Sequence, residues 1–321
     1  MAGSSPSSVP ASKPTSVWKN KNSLFKRMLV RYDLYLMLLL PLAWYITFQY
    51  VPIYGLQIAF KDYVAAKGIM GSEWVGLKQF ERFFSSYYFW RLIWNTVSIS
   101  LYTLLLGFPI PIALAILVNE IKHVDFKKWL QNVTYIPHFI SVVVIVGMLQ
   151  VFLAPSYGLI NQLLVAIGKE PISFLLVPEW FKTLFVTSGI WQNMGWNSII
   201  FIAALAGIDP SLYEAAMLDG ASRFRRILSI SIPGIMPTIV IMFILSIGHI
   251  MDVGFEKVLL MQHDLNLSSS EVIATFIFKE GIQKGEFSYT AAIGLFNSLI
   301  NFTLLVVVNA VARKKSETSL W

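Results

Sequence analysis

The sequence contains no cysteine, which excludes disulfides, iron–sulfur clusters and thiolate metal sites. Charge is also scarce: 13% of the 321 residues are charged, against about 25% in a typical soluble domain, and 56% are hydrophobic. Six long stretches contain no Asp, Glu, Lys or Arg, and these are 34–60, 92–118, 133–153, 184–206, 233–251 and 290–311. Charge distributed in this way indicates a membrane protein rather than a soluble one.

The uncharged stretches have the length of membrane-spanning helices. A helix needs roughly 20 apolar residues to cross the hydrocarbon core. Strands of a membrane barrel would be about ten residues long and would alternate in polarity, which these stretches do not. We therefore predict an all-α, polytopic membrane protein whose six-helix domain covers residues 33–311. A disordered and then basic N-tail (1–32) precedes it, and a short C-tail (312–321) follows.

The basic residues predict the orientation of the chain. The formal net charge is +7, and 15 of the 25 Lys and Arg lie in the two tails and in the segments 119–132 and 207–232. Lys and Arg concentrate in short cytoplasmic loops. We therefore expect both termini in the cytoplasm. The basic excess is interpreted as a topology signal, not as a nucleic-acid-binding surface.

The spans lack the residues that are typical of catalytic and metal-binding sites. The spans contain no carboxylate, no H-E-x-x-H zinc motif occurs, and no G-x-x-x-x-G-K-[ST] phosphate-binding loop is present anywhere. His138 and His249 have no partner at metal-ligand spacing, and a local hydrogen bond between His249 and Asp252 is expected instead. We predict no catalytic residue, no metal site and no cofactor in this chain. One function to weigh for a membrane protein of this kind is ion-coupled secondary transport. It is the alternative to the function favoured below, and it would need buried ionisable residues in the spans.

The segment 207–233 (GIDPSLYEAAMLDGASRFRRILSISIP) predicts two short helices joined by a turn. Asp209 or Ser211 can cap the first helix, and Ser211 with Glu214 has capping-box spacing. Gly220 stands where a helix end favours positive φ, and Ser222 can cap the second helix. The result is a bracket between the fourth and fifth spans, on the side that carries the basic residues.

The same segment resembles the signature of ABC-importer permeases, which is E-A-A, three residues, G, nine residues, I, one residue and L-P. Glu214-Ala215-Ala216 are followed at the required spacings by Gly220, Ile230 and Ile232-Pro233, with Ile232 replacing the usual Leu. The resemblance implies the fold of a type I ABC importer permease with a cytoplasmic coupling helix, located in the inner membrane of a bacterium. The ATPase-coupling residues that it implies are Glu214, Ala215, Ala216, Asp219 and Gly220.

The resemblance also implies partners. They are a second, related permease subunit (or another copy of this one), two cytoplasmic ATPase subunits that hold ATP and Mg²⁺, an external solute-binding protein and membrane lipid. The strings 119–141 and 191–222 are similar to carbohydrate-uptake permeases, more narrowly to those that handle polysaccharide fragments. We expect an oligosaccharide substrate, with alginate fragments as one candidate.

A substrate pathway is expected along the fourth span. Aromatic faces and amide groups suit a carbohydrate, and polar residues within spans tend to face an interior. The alternative is that these amides hydrogen-bond neighbouring helices as packing contacts. The candidate pathway residues are Trp191, Gln192, Asn193, Trp196 and Asn197, with Asn297 on the sixth span.

Overall fold

The computed structural model describes residues 31–315 and 319, so the predicted N-tail lies almost wholly outside the described residues. The chain divides into two compact units, residues 1–56 and 57–321, which are described separately. In the first unit, helix α1 (Tyr32–Tyr45) contains no buried residue and continues through a π-helical turn, Ile46–Tyr50. A 3₁₀ stretch, Val51–Phe60, then leads into the second unit.

The second unit is almost entirely helical. A two-residue hairpin, β1 (Lys61–Asp62) with β2 (Glu73–Trp74), pairs antiparallel near its start. The helices are α2 (Gly68–Gly71), α3 (Lys78–Phe84), α4 (Phe89–Gly107), α5 (Pro109–Glu120), α6 (Val124–Tyr135), α7 (Val142–Phe152), α8 (Leu159–Ala166), α9 (Pro178–Ala206), α10 (Pro210–Leu218), α11 (Arg223–Arg226), α12 (Ile232–Gly248), α13 (Phe255–Met261), α14 (Leu267–Ser270), α15 (Ile273–Ile277) and α16 (Phe287–Lys315).

The helices of the described residues form four candidate membrane spans, or six when each of two bent pairs is counted as one span. Four stretches are long and apolar enough to cross a membrane: Tyr32–Phe60, Phe89–Glu120, Arg223–Gly248 and Phe287–Lys314. Two bent pairs supply the other two: Val124–Phe139 with Val142–Phe152, and Pro178–Ala206 with Pro210–Leu218. The predicted all-α fold with six spans is confirmed. The sixth span reaches Lys315, so its helix continues into the predicted C-tail.

The third span differs from the prediction of one continuous helix over 133–153. The chain bends by 99° at this point, where a 3₁₀ turn, Ile136–Phe139, contains Pro137 and is followed by extended Ile140. Ser141 then starts α7 by accepting a hydrogen bond from the backbone of Val144. Proline cannot donate a backbone hydrogen bond, which explains the break. Helix α7 alone has 11 residues, about 16 Å, and is too short to cross the hydrocarbon core.

Helix α9 is the element against which most of the second unit packs. It contacts α4, α5, α6, α12 and α14. Phe181 and Val186 bury their side chains in one apolar cluster, while Phe201 and Leu205 belong to another. Between these clusters α9 approaches α6 closely, because a Cβ placed on Gly195 would lie 2.1 Å from the carbonyl oxygen of Thr134. Small residues allow this kind of backbone contact between membrane helices.

We expect Gly195→Ala to destabilise the protein by about 1–3 kcal/mol, because the added methyl group forces α9 and α6 apart. Gly147→Ala in α7 is the matched control, since a Cβ at Gly147 meets no atom within 4 Å. Thermal unfolding of the purified protein in detergent measures both. Equal melting temperatures for the two variants would show that the helices tolerate separation at Gly195.

Candidate functional site

A cavity of about 650 Å³ lies in the second unit, between α4, α5, α9, α12 and the segment that leads into α13. Its walls are mostly apolar, as is usual for ligand-binding cavities, with a few polar groups among them. Helix α9 contributes the amides, and the segment after α12 contributes the charged groups. The polar lining residues are Ser100, Thr103, Gln192, Asn193, Asn197, Ser246, His249, Asp252, Glu256 and Lys257.

The predicted pathway residues of α9 divide between the cavity and the packing around it. Gln192, Asn193 and Asn197 line the cavity, whereas Trp191 and Trp196 are not part of its lining. Gln192 and Trp196 therefore do not line the cavity together. The two tryptophans are 41% and 44% exposed.

Gln192 has a structural contact that the sequence did not reveal. Its Nε2 donates a hydrogen bond of 2.9 Å to the carbonyl oxygen of Ile140, at the break in the third span. A backbone carbonyl freed from its helix inside a membrane needs a partner within the protein. The buried Gln192 side chain supplies that partner while also lining the cavity.

His138, in the 3₁₀ turn at the break of the third span, also contacts α9. Its Nδ1 lies 3.0 Å from Oδ1 of Asn193, and its ring stacks on Trp196 with centroids 4.4 Å apart. The side chain of Asn193 also donates to the carbonyl oxygen of Gly189. The sequence interpretation treated His138 as isolated, because its partners lie 55 or more residues away and no local spacing connects them.

Asn297 lies beside the cavity and contacts it through Asp252. The Nδ2 atoms of Asn297 and Asn301 donate to Oδ1 of Asp252 at 3.2 and 3.1 Å. His249 Nδ1 lies 3.2 Å from the other carboxylate oxygen, which confirms the expected local hydrogen bond. Asn301 also accepts from the backbone N–H of Met251. This cluster ties the end of α12 to α16, and among the described residues no group of acids and histidines could hold a metal ion.

The predicted bracket is present: α10 is the bent end of the fourth candidate span, and α11 is the start of the fifth. Asp209 caps α10 by accepting from the backbone N–H of Ser211, with Pro210 in the first turn. Ser211 is thus inside the helix, and the predicted capping box with Glu214 is wrong. Gly220 has φ +74° at the turn, and Ser222 caps α11 as expected.

Two contacts join the segment before and in α10 to the segment at the start of α12. The hydroxyl groups of Tyr213 and Ser231 lie 3.0 Å apart. A Cβ placed on Gly234 would lie 2.5 Å from Cδ1 of Ile208, so the chain entering the bracket packs directly on the chain leaving it. These contacts attach α10 to the start of α12, and a force on α10 would reach the fifth span.

The bracket exposes the residues that the sequence singled out. Glu214, Ala215, Asp219 and Gly220 are exposed, and Ala216 is partly exposed. Apolar side chains are exposed beside them: Leu212 (53%), Met217 (52%), Leu218 (89%) and Phe224 (71%).

The fold and this site define a subunit of a membrane transport system. Residues 107–317 match the family model described as "Binding-protein-dependent transport system inner membrane component". The chain belongs to this family and is a multi-pass inner-membrane permease of a carbohydrate ABC importer, not an enzyme. The fold is therefore the expected type I ABC importer permease fold, and the secondary-transporter alternative is set aside.

Two curated relatives and one solved structure illustrate the similarity. The polygalacturonan/rhamnogalacturonan transport system permease protein YteP of Bacillus subtilis (strain 168) is 42% identical over 303 residues, covering 94% of each chain. Protein LplB of the same organism is 41% identical over 288 residues, covering 90% of this chain and 91% of LplB. A chain of a bacterial alginate ABC transporter, in complex with an alginate pentasaccharide-bound periplasmic protein, has a TM-score of 0.85 and 37% identity. That match covers 93% of this chain and all of the other.

The contact between Gln192 and Ile140 generates a prediction. Gln192→Met should lower the stability of the purified protein by about 1–3 kcal/mol, because the buried carbonyl of Ile140 loses its donor. Asn197→Met makes a similar polar-to-apolar change on the same wall of the cavity, at an exposed side chain, and should change stability little. Thermal unfolding in detergent compares them. A Gln192 variant as stable as the Asn197 variant would contradict the structural role of this amide.

Proposed function

We propose that this chain forms half of the translocation pathway of an ATP-driven importer for an acidic oligosaccharide. The bracket of α10 and α11 is its docking element for a separate ATPase. The coupling residues are Glu214, Ala215, Ala216, Asp219 and Gly220.

The exposed apolar surface of the bracket carries the docking proposal. Leu218 is 89% exposed at the end of α10, beside the small residues Ala215 and Gly220. Apolar side chains grouped on a polar loop are typical of interaction surfaces. Small residues beside them allow a partner's backbone to approach closely. The caps at Asp209 and Ser222 fix both short helices before any partner binds.

The proposed partners follow from the importer class. Two ATPase subunits hold ATP and Mg²⁺ on the side of the bracket, which is also the side of both termini. A second permease subunit, related or identical, completes the pathway, and an external solute-binding protein delivers the sugar. Binding of ATP draws the two coupling helices together. The attachment of α10 to α12 passes this movement to the spans, which open the cavity outward.

The similarity to two transporters of uronate-containing polymers supports an acidic substrate. The name of YteP specifies polygalacturonan and rhamnogalacturonan, and the solved relative imports the acidic polysaccharide alginate. Polygalacturonan and alginate are both chains of uronic acids. Fragments of either polymer are therefore candidates, and the carboxylate is the chemical feature that they share. The amides of Asn193 and Asn197 in the cavity suit the hydroxyl groups of such a sugar.

Reconstitution tests both parts of this proposal. The permease pair, the ATPase and the loaded binding protein are assembled in proteoliposomes, and uptake of uronate oligosaccharides is measured with and without ATP. We expect uptake only with ATP, and we expect it to persist when ionophores remove all ion gradients. Uptake that follows an ion gradient in the absence of ATP would contradict the proposal.

Gly220→Glu tests the docking element. The added side chain should block close approach of the ATPase, so that the ATPase no longer co-purifies with an otherwise inserted permease. Gly168→Glu is the matched control, since Gly168 has φ +77° against +74° for Gly220 and both have open space at Cβ. Backbone strain is therefore similar in the two variants. Equal ATPase co-purification in both would remove the docking assignment.

A further inference from the structure

Lys257 is a buried cation in the wall of the cavity. It lies in the first turn of α13 and is 8% exposed. Its Nζ donates a hydrogen bond of 2.9 Å to the carbonyl oxygen of Phe185 in α9 and lies 4.8 Å from the centroid of the Phe185 ring. Within the described part of the chain, it is the only Lys or Arg that lines this cavity.

No carboxylate of the described residues forms an ion pair with this ammonium group. The ion pairs of the described residues do not include Lys257. Two acids also line the cavity, but Asp252 is held by Asn297, Asn301 and His249, and Glu256 is exposed to solvent. Burial of a charge is costly unless it is paired. Burial lowers the pKa of Lys257 from 10.5 to about 8.

Among the described residues, the ammonium group of Lys257 uses only part of its hydrogen-bonding capacity. A lysine ammonium has three donors, and one of them is used by the Phe185 carbonyl. The ammonium group lies close to the backbone of Gly189. A side chain at this position would crowd it, since a Cβ there would lie 3.3 Å from Nζ. A carboxylate that accepted the remaining donors would form a charge-assisted hydrogen bond, which is about twice as strong as a neutral one.

Amide groups that could hydrogen-bond the hydroxyl groups of a sugar lie near Lys257. Asn193 is one helical turn from Gly189 on α9, about 6 Å along the axis, and both line the cavity. Asn197 follows one turn further along the same wall. Gly189 precedes the end of α9 at Ala206 by 17 residues, or about 25 Å, so the cation is remote from the bracket.

We infer that Lys257 binds the carboxylate of a uronate unit in the cavity and makes the permease itself selective for acidic sugars. This inference rests on the proposed importer function and names a specificity-determining residue for it. Selection would then occur twice, once in the binding protein and once at Lys257. Asn193 and Asn197 meet the hydroxyl groups of the same sugar.

Transport of a charged sugar and its neutral ester tests the inference. A galacturonate or alginate oligosaccharide that the wild-type complex imports is compared with its methyl ester in proteoliposomes. Both are supplied on the binding protein at saturating concentration, after its affinity for each has been measured. We expect Lys257→Met and Lys257→Gln to slow import of the acid about tenfold or more, and import of the ester little. Lys257→Arg should restore import of the acid.

Lys182→Met is the matched control. Lys182 is also a lysine without an ion pair among the described residues, and it donates to Ser98 Oγ at 2.6 Å, but it does not line the cavity. This variant should import both sugars as the wild type does. If the Lys257 variants slow acid and ester equally, or leave the acid unchanged, Lys257 only ties α13 to α9 and the inference falls. If the wild type imports only neutral sugars, Lys257 has no such role and the proposed acidic substrate is wrong, but the ATP-driven importer stands. If ATP drives import of no sugar, the proposed function itself falls.

Discussion

The hydrogen bond from Gln192 to the carbonyl of Ile140 is the interaction on which the arrangement of the cavity depends. Hydrocarbon offers no partner for a backbone group released by a broken helix, so a break inside a span requires a polar side chain from elsewhere in the protein. At the 99° bend of the third span, α9 therefore has to present the side chain of Gln192 to the carbonyl oxygen of Ile140. Gln192, Asn193 and Asn197 lie on the cavity wall of this helix, whereas Trp191 and Trp196 are not part of the lining.

The same helix connects the cavity to the bracket. Gly195 brings α9 into backbone contact with α6, and Ile208, just beyond its end, packs against Gly234 at the start of the fifth span. These close contacts leave little room for α9 to move without its neighbours. A displacement of α10 is therefore expected to act on the fourth and fifth spans together, since Tyr213 also joins α10 to Ser231. Movement of these two spans would change the walls of the cavity that lie between them.

Much of this organisation could be predicted from the sequence because it depends on local patterns. Uncharged stretches of about 20 residues locate spans, and Gly220 with Pro210 locates the bracket. The break after Pro137 was missed because hydropathy does not register a bend. The role of Lys257 was also hidden, because its burial depends on Phe185 and Gly189, which lie about 70 residues away in the chain. Partners that are distant in sequence have no signature in a single sequence.

The most direct test of the central claim, that the bracket contacts the ATPase, uses the absence of cysteine from the chain. Ala215→Cys gives the permease a single thiol on the exposed surface of α10. A short thiol-to-amine cross-linker is then applied to the assembled complex, and the adduct is identified by mass spectrometry. The account predicts an adduct between this residue and the ATPase, and none from Ser85→Cys, an exposed position beyond the far end of the second span. An ATPase adduct from Ser85→Cys but not from Ala215→Cys would contradict the account.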